Sequence, residues 1–481
     1  MHSLVGHKKL VLHAIQATVS ELADPRVDTL ASIRLVLGTA DAGAIKAEME
    51  TLNQSLRTAL RAAESEADHF DTHYVSRIDA MGLFQSALAK VFADIPELQG
   101  LGDGNAIWIL AKIDEAINDL KSFFGRVYRD VHNNDKLLIP SIVHELLANR
   151  RADTRSPFPV GRPATIPLPD REFTIAILAD WGGDNPAARS VGQTAFKQKP
   201  DIAIHLGDIY YGGTSLECSR FVEVWPWSVR HEDGSISPPP NTSYSLNGNH
   251  EMFSGGEWYF KTVLPAFGQS HSFFCLEGTH WRVIGVDTAY AGGRLKADPP
   301  DESISEQWEW LKDLLSIEDG KSNILLSHHQ PVSAHGPEYT DSAPLRADVE
   351  ELLNSLPPKQ INSIFGWFFG HEHRCIVYED GELPRFNARL IGNGCVPHTI
   401  HEIDEVPGAA KPLEVNHKET SEGSGAAISS FALLHFGGPE VDIEYINEDN
   451  STWGTEMWDA TTGRLNGTKF VQEDGLQGQL K

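Results

Sequence analysis

The chain has 481 residues, of which 41% are hydrophobic and 22% charged, a size at which a single core usually stops growing and the chain divides into domains. Its formal charge of −27 is unevenly placed, because residues 166–481 hold 22 Lys/Arg against 46 Asp/Glu. Such a surface repels polyanions over a Debye length of ~10 Å, which argues against nucleic acid as the main partner, and no run of 18 apolar residues offers a membrane span.

Near the N-terminus Lys8 and Lys9 precede a short apolar stretch, but His13 and Gln16 interrupt it and Glu21 and Asp24 follow, so no secretory signal is read. Residues 1–152 read as an all-α helical bundle. Leu110, Ile113, Ile117, Leu120, Phe124 and Val127 recur at steps of three and four and line one helical face. Similar stripes run through Val11, Ile15, Val19 and Leu22, through Ile45, Met49, Leu52 and Leu56, and through Ile78, Met81, Phe84, Leu88 and Val91. These stripes need each other or a partner to be buried, so an antiparallel helical bundle is expected, with a homo-oligomer or a protein partner as one use for it. His69 and His73 stand at helical spacing around Asp71 and read as solvent-facing.

Residues 153–171 hold Pro157, Pro159, Pro163, Pro167 and Pro169 and read as a semi-rigid linker. Beyond it the period changes to short apolar runs: 173–179 before Asp180, 202–206 before Gly207, 281–286 before Asp287, 323–326 before Ser327, and 364–369 before Gly370, with a helical stretch at 305–315. Strands alternating with helices predict an α/β architecture, whose ligands sit at the carboxyl ends of the strands. The polar stretches 232–243 and 402–425 read as long surface loops, 431–436 with 441–446 as a closing hairpin, and 451–481 as a C-terminal tail. Cys218, Cys275, Cys375 and Cys395 show no CxxC spacing, so reduced thiols and a cytoplasmic location are expected, with Cys375 a packed thiol. His205, His280 and His435 lie in or beside apolar strands and read as hydrogen-bonded, while Trp181, Trp225 and Trp227 read as core aromatics or pocket walls.

Five clusters of oxygen and imidazole donors fall at the ends of these runs: Asp180-Trp181-Gly182, Gly207-Asp208-Ile209-Tyr210-Tyr211, Gly248-Asn249-His250-Glu251, Ser327-His328-His329, and Gly370-His371-Glu372-His373. In this order they resemble the calcineurin-like metallophosphoesterase superfamily and, within it, the purple acid phosphatases of the small, mammalian type. His335-Gly336-Pro337 adds to the likeness. The resemblance covers about residues 172–450. It implies a four-layer α/β/β/α sandwich as the catalytic domain and a site for two metal ions.

One ion then takes Asp180, Asp208, Tyr211 and His373, and the other takes Asp208, Asn249, His328 and His371. Asp208, with two carboxylate oxygens, can bridge cations about 3.5–4 Å apart. His371 and His373 are separated by one residue, so an extended segment sends both rings to one face and Glu372 away. Between His328 and His329 the family pattern favours the first. A phenol titrates near pH ~10, so Tyr211 as a ligand points to Fe(III), paired with Fe(II), Zn(II) or Mn(II). Most of the superfamily has a histidine where this chain has Gly182, which also points to the purple subgroup.

The reaction implied is hydrolysis of a small phosphomonoester by attack of a metal-bound hydroxide on phosphorus. His250 is the expected general acid, oriented by Glu251, with His335 a second group near the leaving oxygen. Phosphodiesters, cyclic nucleotides included, are the enzymatic alternative on the same site. A third reading is a phosphate-binding interaction or sensor protein in which the bundle does the biological work.

Overall fold

The computed structural model describes residues 156–182, 186–209, 213, 215–253, 255–296, 302–334, 345–379, 386–395, 409–419 and 427–470. The bundle expected over 1–152 and the last residues of the expected tail, 471–481, lie outside the described residues.

In chain order the described elements are β1 (Ile166–Pro167), β2 (Phe173–Leu178), α1 (Pro186–Lys197), β3 (Ile202–His205), α2 (Ser215–Val224), β4 (Val229–Arg230), β5 (Ile236–Ser237), β6 (Ser243–Ser245) and α3 (Asn249–Phe253). A π-turn (Tyr259–Val263) and α4 (Leu264–Ala266) lead to β7 (Phe274–Glu277), β8 (Trp281–Val286), α5 (Glu302–Leu315) and β9 (Ser322–Ser327). Then come α6 (Ala347–Ser355), α7 (Pro358–Ile361), β10 (Ile364–Phe369), β11 (Cys375–Tyr378), β12 (Asn387–Ile391), β13 (Pro412–Val415), β14 (Ser430–Gly437), β15 (Glu440–Asn447), β16 (Thr452–Asp459) and β17 (Arg464–Phe470). The five strands read from the sequence are all present, as is the β14–β15 hairpin.

The strands form two large sheets. One runs β1-β7-β8-β9-β10-β12-β11-β13 and the other β17-β16-β15-β14-β2-β3-β6. Within them β8, β9, β10 and β12 are parallel neighbours, as are β2, β3 and β6. Parallel strands are covered on both faces, which is why their sequences read as unbroken apolar runs. Ile175, Ile177 and Ile204 of one sheet join Val283, Ile324, Leu326 and Phe368 of the other in a single core. Ile284, Leu325, Trp367 and Phe369 point the other way, toward Trp308, Leu311 and Leu315 of α5 and Val349 and Leu352 of α6. On the far side of the second sheet His205 of β3 packs its ring against Phe221 of α2 and the following Trp225.

Three boundaries differ from the sequence expectation. The segment expected as a linker, 153–171, is described from Ser156 and lies on the domain: Phe158 is buried in the core beside α5, and β1 pairs with β7. Its prolines suit an edge strand, where a missing donor costs the sheet nothing. The region expected as a tail from 451 instead supplies β16 and β17 to the second sheet, with Trp453 and Trp458 buried. Within the two expected loops lie β5, which pairs with the preceding β4, and β13, which closes one edge of the first sheet.

Candidate metal centre

Every predicted donor that is described follows the carboxyl end of a parallel strand. Asp180 follows β2, Asp208 follows β3, Asn249 and His250 follow β6, His328 and His329 follow β9, and His371 and His373 follow β10. The two sheets therefore supply different donors: carboxylates and the amide from one, imidazoles mainly from the other.

The turns that carry these groups are tight. Asp180, Asp208, His371 and His373 have φ of 54°, 69°, 76° and 50°, in the left-handed region that non-glycine residues seldom occupy. Gly207 has φ 103°, and a Cβ on it would stand 2.8 Å from the Gly248 nitrogen. A Cβ on Gly248 would collide with the Asp208 carboxylate, so the two glycines let the Asp208 and Asn249 turns cross. Because residues 371–374 bend, the extended spacing expected for His371 and His373 is not what brings them together. Glu372, expected to point away, is buried, and burial pushes its carboxyl up to about 7.

Donor atoms of Asp180, Asp208 and His373 lie within 4.8 Å of one another, and so do those of His328, His329 and His371. His373 Nε2 is 3.4 Å from Asp180 Oδ1, and His328 Nε2 is 3.2 Å from Asp208 Oδ1. Asn249 Oδ1 stands 2.8 Å from His328 Nε2 and 3.0 Å from His371 Nδ1. Asp180 Oδ2 accepts from the His371 backbone N–H at 2.8 Å. His250 approaches Asp208 twice, through its backbone N–H at 3.1 Å to Oδ1 and through Nε2 at 3.7 Å from Oδ2.

The donor chemistry fits a cation. His328 Nδ1 is 3.1 Å from the Leu206 carbonyl, which can only accept, so the neutral ring carries its hydrogen on Nδ1 and turns the Nε2 lone pair toward Asn249 Oδ1 and Asp208 Oδ1. Three such electron-rich atoms need a proton or a metal ion among them. Without a metal a proton serves: although burial works against it, the Asp208 charge holds His328 up at about 9. In turn, despite burial, His328 and His250 hold Asp208 well below the usual carboxylate range. Burial and His328 push His371 well down.

Glu251, expected to orient His250, also binds the backbone of two turns. Its Oε2 accepts from the N–H groups of Gly248 at 3.0 Å and Asp208 at 3.2 Å, and its Oε1 from Ile209 at 2.9 Å. It thus ties the Asp208 turn to the Asn249 turn, while burial and the Asp208 charge push it up to about 8. Tyr211 and His335 lie outside the described residues.

The sequence reading missed a ring of groups behind the donors. Asp287, fully buried after β8, accepts from Asn247 Nδ2 at 3.2 Å and from the Tyr290 N–H at 2.9 Å. Thr288 hydrogen-bonds His329. No spacing rule marks either residue, although both follow a predicted strand end as the donors do. The bland readings hold for His205, His435 and Cys375. His205 is buried with Nε2 on the Trp181 carbonyl, His435 Nδ1 meets Thr174 Oγ1 at 2.9 Å, and Cys375 is a fully buried thiol. Trp181 is core, donating to the Ala188 carbonyl at 2.7 Å and packing edge-on to Trp225.

Residues 173–375 match the family model described as calcineurin-like phosphoesterase. A 178-residue part of the chain is 27% identical to the probable glycerophosphodiester phosphodiesterase GpdQ of Arcobacter nitrofigilis, covering 37% of this chain and 58% of that relative. The chain therefore spans less than two thirds of that relative's length. Among solved structures, GAP50, the anchor in the inner membrane complex of Plasmodium, is 14% identical with a TM-score of 0.41, over 63% of this chain and 89% of that one. TT1561 of Thermus thermophilus is 12% identical with a TM-score of 0.31, over 63% and 100%. Among the described residues no helix is long and apolar enough to cross a membrane.

Proposed function

We propose that this protein is a two-metal phosphoester hydrolase acting on a small phosphorylated substrate. The observation that carries the reading is that buried carboxylates, an amide oxygen and imidazoles drawn from two sheets gather in two groups that meet at Asp208 and His328. Asp180, Asp208 and His373 would hold one cation, and Asp208, Asn249, His328 and His371 the other, with Tyr211 added to the first. When bound, the pair supplies positive charge for the phosphoryl oxygens and a more acidic water as nucleophile.

The remaining roles belong to the chain itself. Glu251 fixes the crossing of the Asp208 and Asn249 turns. His250, buried and 3.7 Å from Asp208 Oδ2, delivers a proton to the leaving oxygen. His335 is a second group for that oxygen.

Phosphomonoesters lead, on the purple-phosphatase features of the sequence: Gly182 in place of an imidazole, and Tyr211. These same features support iron as one of the metals. The phosphodiester reading is favoured by the 27% identity to the glycerophosphodiester phosphodiesterase relative. The four buried free thiols support a reducing, cytoplasmic location.

The deciding experiment is steady-state hydrolysis of p-nitrophenyl phosphate and bis-p-nitrophenyl phosphate by protein whose iron, zinc and manganese have been quantified. A monoester preference with iron bound is the expected result. A diester preference without iron moves the substrate to the second reading, and no turnover of either ester by metal-replete protein overturns the hydrolase itself.

A further inference from the structure

His328 and His329 are adjacent, both buried, and both offer a ring nitrogen to the same group of donors. Their remaining hydrogen bonds give them opposite polarity. His328 must donate from Nδ1, because its partner there is the Leu206 carbonyl, and this leaves Nε2 as a lone pair. His329 Nδ1 faces the Thr288 hydroxyl at 3.0 Å. That hydroxyl oxygen also accepts the His329 backbone N–H at 3.1 Å.

Thr288 is fully buried. A buried hydroxyl that accepts one N–H still has a hydrogen to place, and His329 Nδ1 is the acceptor the structure gives it. Nδ1 of His329 is therefore the accepting nitrogen and Nε2 carries the hydrogen. With its Nδ1 lone pair engaged and its Nε2 protonated, this imidazole has no lone pair left for a metal.

The surrounding turn brings a glycine to the ring edge. The Gly293 N–H donates to the Thr288 carbonyl at 2.9 Å, which folds residues 288–293 back over His329. Gly293 has φ 93°, and a Cβ on it would stand 3.3 Å from Cδ2 and 3.7 Å from Nε2 of His329. Glycine at this position keeps its own side chain off the Cδ2–Nε2 edge of His329. The His329 ring centroid is 4.5 Å from that of His371 and 4.8 Å from that of His328. A fixed N–H donor is thus set beside two rings proposed to hold a cation.

We propose that His329 is not a metal ligand but a hydrogen-bond donor to a non-bridging phosphoryl oxygen of the substrate, and that Thr288 is the positioning residue that sets its polarity. The inference rests on the hydrolase reading above. Phosphoryl oxygens are strong, charge-assisted acceptors, and a donor fixed in advance needs no reorganisation when the phosphoryl group arrives.

The test uses the full chain with its metals and compares wild type with Thr288→Ser, Thr288→Val, His329→Gln and His329→Ala. Three quantities are read: metal ions per chain, the dissociation constant of inorganic phosphate by calorimetry, and the ¹⁵N shifts of the His329 ring. His329→Ala and Thr288→Val are expected to keep the wild-type metal content and to bind phosphate about tenfold more weakly. Thr288→Ser restores the hydroxyl and with it the wild-type affinity, while His329→Gln, which keeps a side-chain N–H, falls between. In wild type the His329 Nδ1 resonance lies in the unprotonated range.

Loss of a metal ion from His329→Ala overturns the donor role in favour of ligation. Unchanged phosphate affinity in His329→Ala at full metal content overturns it as well, and that protein is informative even if Thr288→Val fails to fold. Wild type that holds no metal and binds no phosphate overturns the hydrolase reading itself, and with it this inference.

Discussion

His205 lies in β3, fully buried, with Nε2–H on the Trp181 carbonyl and Nδ1 accepting the Gly207 N–H at 3.3 Å. Burial pushes this imidazole down to about 3. The unfolded chain takes up a proton near the ordinary value of 6.5, whereas the folded protein refuses it until about pH 3. The stability contributed by a neutral His205 is therefore complete above pH ~6.5 and lost as pH falls toward 3. Between pH 7 and pH 5 the loss is about 2 kcal/mol, seen as a lower urea midpoint of metal-free protein, and His205→Gln removes most of that drop. An equally steep drop in His205→Gln would place the acid sensitivity elsewhere. At this scale the sequence was legible where residue type alone announces chemistry. Asp180, Asp208, Asn249, His328, His371 and His373 stand out because oxygen and imidazole donors recur at strand ends. Glu251 and Thr288 do not, because what defines them is a backbone N–H or a ring nitrogen brought close only by folding.

Between elements, the clearest tie is the ion pair of Arg389 on β12 with Glu456 on β16. Nε to Oε2 is 2.9 Å and Nη2 to Oε1 is 2.8 Å, with both side chains sealed from solvent. Tyr445 Oη and Trp458 Nε1 also donate to Glu456 Oε2, at 3.2 and 3.0 Å. One residue of each large sheet thus contributes a charge to the interface between them. Glu456→Ala leaves the guanidinium buried without its counter-charge and should lower the unfolding free energy by about 3–5 kcal/mol. Chemical denaturation measures this, and adding Arg389→Met to Glu456→Leu should recover much of the loss. A cost near zero for Glu456→Ala would mean that water enters the interface. The same pair explains why β16 was hidden in the sequence. Its inward positions include Glu456, and β16 (TWGTEMWD) lacks the unbroken apolar run by which β2, β8 and β10 were recognised. Its ring neighbour Trp458 also occupies the space where a side chain on Gly366 of β10 would go.

Over the whole molecule, the segment from Ser156 to Leu168 fastens several elements together. The Ser156 N–H donates to the Gly255 carbonyl at 2.9 Å, and Tyr290 Oη donates to the Ser156 carbonyl at 2.8 Å. Phe158 stacks on Phe273 with ring centroids 5.7 Å apart and meets Tyr290 at 4.8 Å. The Gly161 N–H donates to Glu306 of α5 at 2.7 Å. Phe158→Ala should cost about 3–5 kcal/mol, read as a lower thermal midpoint with metal content retained. A midpoint equal to wild type would restore the view of this stretch as a passive linker. Proline content pointed to that view because composition reports stiffness and not contact. The division of donors between the sheets has a consequence for biosynthesis. The acidic half of the site is translated by Asp208, but the basic half is unfinished until His373. The central strand β2 gains its second neighbour only with β14, after residue 430. On the two-metal reading proposed above, an emerging chain holds both carboxylates while residues 209–373 are still being added, and cation loading would wait until the two halves meet.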